Sequence, residues 1–238
     1  MNRLVKLQLR NIFHSRFFYV CLALVLLLSP IGQFLLEMFS KSTKPSPVFT
    51  VLITYFNSEL DLISKIFIVL LCCMDFSEGT TKNIIARGYT RTQLLFSKYI
   101  ATLIGLFTIY LAVIILSFAL FIKNGLGYDN TTILLLVDSF IAIISYTIMY
   151  ATISFVLEKN VSAIIACIFI PAIASLVLTL LDNNMHLDIG KYWIENVSDA
   201  FRKDPTLSNL IVPVLLYIGY IVAFIYGGIG LLKNKEIK

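Results

Sequence analysis

The fold is decided at Tyr99–Ile122, YIATLIGLFTIYLAVIILSFALFI, a run with no Asp, Glu, Lys or Arg. A helix rises about 1.5 Å per residue, so roughly 20 such residues cross a hydrocarbon core about 30 Å thick. The run is continuous rather than alternating in blocks of about ten residues, which marks a helix and not a barrel strand. In lipid only those two structures satisfy their own backbone groups.

Working outward, five further runs read the same way: Phe17–Leu36, Asn57–Phe76, Thr132–Leu157, Val161–Leu181 and Leu210–Leu232. The expected fold is all-α, a polytopic membrane protein with one transmembrane domain over 1–238 and six spans. Composition agrees, since 58% of residues are apolar and 14% charged, against about 25% charged in soluble domains.

An even number of spans puts both termini on one side, and Lys and Arg choose the side. The expected cytoplasmic segments hold twelve cations (Arg3, Lys6, Arg10, Arg16, Lys82, Arg87, Arg91, Lys98, Lys159, Lys233, Lys235, Lys238) and four acids. The other side holds seven cations and nine acids. The basic balance therefore reports membrane orientation and gives no reason to expect nucleic acid. Cys21, Cys72, Cys73 and Cys167 all sit in apolar runs without metal-ligand spacing and read as small buried hydrophobes. Leu28-Ser29-Pro30-Ile31-Gly32 offers no small-x-small cleavage site, so an uncleaved first span is expected, kinked at Pro30.

Residues 2–14 place Leu4, Val5, Leu9, Ile12 and Phe13 on one helical arc and Arg3, Lys6 and Arg10 on another. Such a helix suits an interface with anionic headgroups, or serves as a plain positive-inside flank. At the second span Asp61 precedes Lys65 by four residues, the order that predicts an ion pair with Lys65 snorkelling outward. In the fourth span Asp138, Ala142, Ser145, Met149 and Thr152 make a small polar seam. Asp138, Ser145 and Thr152 are candidate intramembrane polar residues, with Asp138 facing a bundle interior or bonding a neighbouring helix. Glu158-Lys159-Asn160 leaves room only for a tight hairpin turn. Residues 182–208 form the longest outer loop. Its pattern of Ile189, Tyr192, Trp193, Ile194, Val197 and Phe201 among charges predicts a short amphipathic helix on or dipping into the outer leaflet, with Trp193 at headgroup level. In the last span Gly219, Ala223 and Gly227 predict a helix-packing face.

Catalytic sets are missing. The chain has no G-x-x-x-x-G-K-[ST] phosphate loop, no His-Glu-x-x-His and no TVGYG filter, and His14 and His186 fall on opposite sides. The reading is a non-enzyme without catalytic residues, metal or cofactor of its own: a transport, scaffold or receptor protein.

The segment 77–98 between the second and third spans carries the remaining signal. Thr80 or Thr81 can cap a short helix, Gly88 supplies a left-handed stop, and Thr90-x-x-Gln93 is a capping box that starts the next helix. The expectation is a rigid two-helix knuckle able to transmit a push; the simpler reading is a loop that obeys the charge rule. The run Asp75-Phe76-x-x-Gly79-Thr80-x-Lys82-Asn83-x-x-x-Arg87-Gly88-x-x-Arg91, followed by Lys98, resembles the first cytoplasmic loop of ABC type-2 exporter permeases, in particular small bacterial ones of peptide export and lantibiotic or bacitracin immunity. The resemblance implies that Gly79, Thr80, Lys82, Asn83, Arg87, Gly88 and Arg91 couple to a separate cytosolic ATP-binding cassette ATPase, which holds ATP and Mg. It also implies that the interfacial helix with Arg3, Lys6 and Arg10 helps transmit motion. A second permease subunit, identical or related, and a bacterial plasma membrane with cytoplasmic termini follow from the same likeness. The expected cargo is an amphipathic or antimicrobial-type peptide; drug, lipid or ion export and a non-transporting scaffold or sensor are the alternatives.

Overall fold

In the computed structural model, residues 2–39, 62–73, 76, 80–123, 130–185 and 188–233 are described, and among them there is no strand. The helices are α1 (Asn2–His14), α2 (Arg16–Phe39), α3 (Leu62–Cys73), α4 (Thr80–Ala86), α5 (Arg91–Lys123), α6 (Asn130–Leu157), α7 (Asn160–Met185), α8 (Asp199–Lys203) and α9 (Leu207–Lys233), with a 3-10 turn at Gly190–Tyr192. The protein is all-helical over this described part and is built as a membrane protein. Among the described residues four helices are long and apolar enough to cross a bilayer: Arg91–Leu116, Ile133–Leu157, Asn160–Met185 and Leu207–Leu231. A fifth candidate is the pair Arg3–His14 and Arg16–Leu27, bent by 61°. The second expected span is represented by α3 alone, which is shorter than the roughly 20 residues a crossing needs; 57–61, 74 and 75 lie outside the described residues.

The described bend lies at Ser15, while α2 runs on through Pro30. Ser15 interrupts the helical ladder with three-residue bonds, Ser15 N–H to Ile12 O at 3.1 Å and Phe18 N–H to Ser15 O at 3.1 Å, and its Oγ accepts from Phe17 N–H at 3.2 Å. Phe13 and Phe18 meet edge-to-face across the corner at 5.2 Å.

α5 and α6 form the centre, because their spans are 44% and 50% buried against 11% for α7 and 17% for α9. They run antiparallel, so Tyr99 meets Thr152 at one end and Phe107 meets Phe140 further along. α9 runs parallel to α6, with Tyr217 near the level of Asp138 and Gly228 against Thr152. α3 lies beside α6, where Cys73 Sγ donates to Ser154 O at 3.5 Å. α6 and α7 form the tight hairpin expected at 158–160, and Glu158 takes φ 60 to end α6. All four cysteines are free and buried, in line with the sequence reading.

Within this chain the expected packing face of α9 is not the one that meets α6. Gly219, Ala223 and Gly227 are exposed, and a Cβ on either glycine would meet nothing within 4 Å. The close approach is made one residue later. Gly228 is buried, and a Cβ there would lie 3.0 Å from Thr152 Cγ2 and 3.1 Å from Tyr99 Oη. The face that packs is set by the direction in which α6 lies, which the four-residue spacing alone does not specify.

Candidate functional site

At one end of the bundle the chain turns through α4 and a hard corner. Arg87 N–H reaches Ile84 O at 3.2 Å, Gly88 N–H reaches Ile85 O at 2.9 Å, and Gly88 takes φ +87. A side chain at that φ is strained, so glycine is the residue that lets the helix stop and reverse. Two residues on, Thr90 N–H donates to Gln93 Oε1 at 3.1 Å and Gln93 N–H to Thr90 Oγ1 at 3.3 Å. This is a closed capping box, and it fixes where α5 begins.

The knuckle has two faces. Ile84 and Thr81 are buried and Tyr89 packs on the core, whereas Lys82, Asn83, Ala86, Arg87, Gly88 and Thr90 are exposed. Thr81 was a candidate cap, but its Oγ1 is buried with no hydrogen-bond partner. Thr80 opens α4; Gly79 lies outside the described residues. Arg91 is half-buried at the first turn of α5. Among the described residues the exposed arc thus carries Lys82 and Arg87, with Asn83 between them in sequence, and no acidic residue.

Motion at this corner has a stiff path into the bundle. α5 continues unbroken for 33 residues, about 50 Å of helix. Lys98 is buried, and its Nζ donates to Leu71 O at 2.9 Å in the last turn of α3. The buried cation thus has a backbone carbonyl as a hydrogen-bond acceptor, which offsets part of the cost of burying it. At the next residue, the Tyr99 and Thr152 hydroxyls lie 2.6 Å apart, and Thr152 Oγ1 also donates to Ile148 O at 2.6 Å. Tyr99 must therefore be the donor to Thr152, because the threonine has only one hydrogen to give.

α1 joins the same helix. Leu4, Gln8 and Ile12 are buried at four-residue steps and α1 packs along α5, while Arg3, Lys6 and Arg10 stay exposed. Gly105 lets this happen, since a Cβ there would sit 3.4 Å from Ile12 Cγ2. The knuckle and the amphipathic helix, far apart in sequence, both bear on α5.

The polar seam of α6 is buried along its whole length, but its members do not form one site. Asp138 and Thr152 are separated by about 21 Å of helix; Thr152 serves Tyr99, while Asp138 accepts from Ser198 Oγ at 2.8 Å. Ser145 is buried without a hydrogen-bond partner for its Oγ. Ser198 in turn lies 2.9 Å from Tyr217 Oη. Since Ser198 spends its hydrogen on Asp138, the order is Tyr217 to Ser198 to Asp138. Asp138 is fully buried, and its second oxygen has no hydrogen-bond partner.

The segment that supplies Ser198 differs from the expected surface helix. After Gly190–Tyr192 it makes turns from 194 to 198 and the short α8, and Ile194, Val197 and Phe201 are buried in the protein rather than laid on lipid. Asp182 carboxylate oxygens accept from Ile189 and Gly190 N–H, both at 2.6 Å. Tyr146 donates to Ile194 O and Tyr220 to Tyr192 O, each at 2.9 Å. Trp193 is half-buried, edge-on to Tyr220 at 6.3 Å. Lys65 is buried and bridges to Glu195 at 3.4 Å, with its Nζ 5.3 Å over the Tyr150 ring; Asp61, its expected partner, lies outside the described residues. Sequence reasoning missed Ser198, Tyr217, Tyr146 and Glu195 in these roles, because partners separated by 60 or 130 positions leave no local pattern.

Among the described residues no group of three or more His, Cys, Asp or Glu could hold a metal ion. No curated protein and no solved structure matches the chain. One family does, described as "Protein of unknown function (DUF2705)", and the match covers residues 17–238. Spanning nearly the whole sequence, from the start of α2 to the C-terminal end, that match makes the chain a member of the DUF2705 family.

Proposed function

We propose that the chain is the membrane permease subunit of an ATP-driven exporter of the ABC type-2 kind, with six spans and both termini in the cytoplasm of a bacterial cell. The observation that carries the reading is the knuckle: an exposed cationic arc at Lys82 and Arg87, fixed by Gly88 and the Thr90–Gln93 box to a single long helix. A protein docking on that arc acts directly on α5 and, through Lys98 and Tyr99, on α3 and α6. The chain has no phosphate loop, so hydrolysis belongs to a cytosolic ATPase partner that carries ATP and Mg. A second permease, identical or related, completes the membrane half. The cargo we assign is an amphipathic peptide of antimicrobial type, taken laterally from the bilayer.

Reversing charge at Lys82→Glu and Arg87→Glu tests the docking. The variant is expected in the membrane at normal level but without co-purification of an ATPase from a neighbouring reading frame. Unchanged co-purification and unchanged transport would remove the knuckle from any coupling role. A membrane scaffold that recruits a partner through the same arc is the second reading, and it predicts docking without nucleotide-dependent transport.

A further inference from the structure

The segment 188–206 is held by side chains from several elements, through a set of polar contacts as well as through buried Ile194, Val197 and Phe201. Asp182 of α7 binds its first amides, Tyr146 of α6 and Tyr220 of α9 bind its carbonyls, Lys65 of α3 pairs with Glu195, and Asp138 and Tyr217 grip Ser198. Between Trp193 and Ser198 its backbone is turn, with no regular helix or ladder to stiffen it. It starts at Asp188 with φ 49, a left-handed backbone at a residue other than glycine. Such conformations persist only when the surroundings impose them.

The seat of the segment is also costly. Asp138 is 0% exposed, accepts one hydrogen bond and leaves Oδ2 without one, and Arg202 Nε on the segment itself is likewise buried and without a hydrogen bond. A buried carboxylate and a buried guanidinium nitrogen each lose hydration that a lifted segment would restore, and against this stands the attraction between Arg202 and Asp138 that lifting would lose. Ile194, Val197 and Phe201 gain burial in the seated form, so apolar packing and polar desolvation oppose each other.

We propose that residues 188–206 are a lid on the end of the bundle opposite α4, latched by the Tyr217–Ser198–Asp138 chain and secondarily by Lys65–Glu195, and that the lid lifts while the spans stay folded. The proposal stands on the contacts of the segment alone and does not depend on the ATPase reading. Partial opening of this kind draws on the less stable parts of a structure.

The test is cysteine accessibility in the full chain, reconstituted in lipid nanodiscs so that both faces meet the reagent. Val197→Cys places a thiol at a position 4% exposed, and the parent chain, whose four cysteines are buried, gives the blank. A hydrophilic maleimide should modify Val197→Cys slowly but to completion, and Asp199→Cys, at an exposed position, quickly. Adding Ser198→Ala should raise the rate at position 197 about tenfold, equivalent to about 1.4 kcal/mol. Glu195→Gln should raise it less, and Thr147→Ala, whose hydroxyl bonds Ile143 O in its own helix, not at all. Tyr217→Phe breaks the other end of the same chain and serves if Ser198→Ala does not yield monodisperse protein. A position 197 as reactive as position 199 in the parent would mean the segment is not seated. A slow rate unmoved by both Ser198→Ala and Tyr217→Phe would mean the latch does not hold it; either result overturns the proposal.

Discussion

Two adjacent glycines of α9 should respond in opposite directions to the same substitution. At Gly228 an added methyl group would stand 3.0 Å from Thr152 Cγ2 and 3.1 Å from Tyr99 Oη, where carbon contacts ordinarily settle near about 3.5–4.0 Å. The neighbours must give by a few tenths of an ångström. Thr152 is a β-branched residue inside a helix with little freedom to turn, and moving Tyr99 stretches its 2.6 Å bond to Thr152. Overpacking of a tight contact costs about 1–3 kcal/mol, and loss of the hydroxyl bond adds about 0.5–1.5 kcal/mol. Gly227→Ala meets nothing within 4 Å, so it should be neutral or gain up to about 1 kcal/mol from helix propensity. Thermal unfolding of the purified protein in one detergent reads the difference. At about 2–4 °C per kcal/mol for a chain of this size, Gly228→Ala should lower Tm clearly and Gly227→Ala should not. Thr152→Ser deletes Cγ2 and keeps the hydroxyl, so it should restore part of the loss when combined with Gly228→Ala. Equal behaviour of the two glycine variants, or no rescue by Thr152→Ser, would refute the packing of α9 on α5 and α6 described above.

Two further consequences concern the knuckle. Gln93→Ala opens the capping box and should cost about 1 kcal/mol locally; amide exchange over 80–93 should quicken while that of α6 stays unchanged. Lys98→Met removes the buried hydrogen bond to Leu71 O, and a bond from a charged donor is worth about 1.5–3 kcal/mol. That variant should unfold at lower temperature than Lys82→Met, whose side chain is exposed; equal stability would mean Lys98 is not a tie between α5 and α3.

What the sequence made legible follows from the range of the forces involved. The apolar runs of α5, α6, α7 and α9, the Gly88 stop, the Thr90–Gln93 box and the hairpin at 158–160 are set by neighbours within a few residues, and each stands in the structure as read. Helix faces were less legible. The seam of α6 was correctly placed on one buried face, but the packing glycine of α9 was missed by one position, which is about 100° of rotation. Long-range polar pairs were not legible at all. Nothing near Asp138 announces that Ser198, sixty positions on, will be its donor, or that Lys65 will reach Glu195. For the same reason the segment 188–206 read as a surface helix: its apolar residues have the spacing of an amphipathic strip, and the burial of Ile194, Val197 and Phe201 together with the hydroxyls of Tyr146, Tyr217 and Tyr220 shows that part of the strip faces protein.

The central claim is that the exposed arc of α4 is a docking surface for an ATPase, and site-specific photocrosslinking in intact cells tests it most directly. A photoreactive side chain at Asn83, on the exposed arc, should give an adduct with a cytosolic protein containing a phosphate loop, and one at Ile84, on the buried face one residue away, should not. No ATPase adduct from position 83, or equal adducts from both positions, would contradict the account.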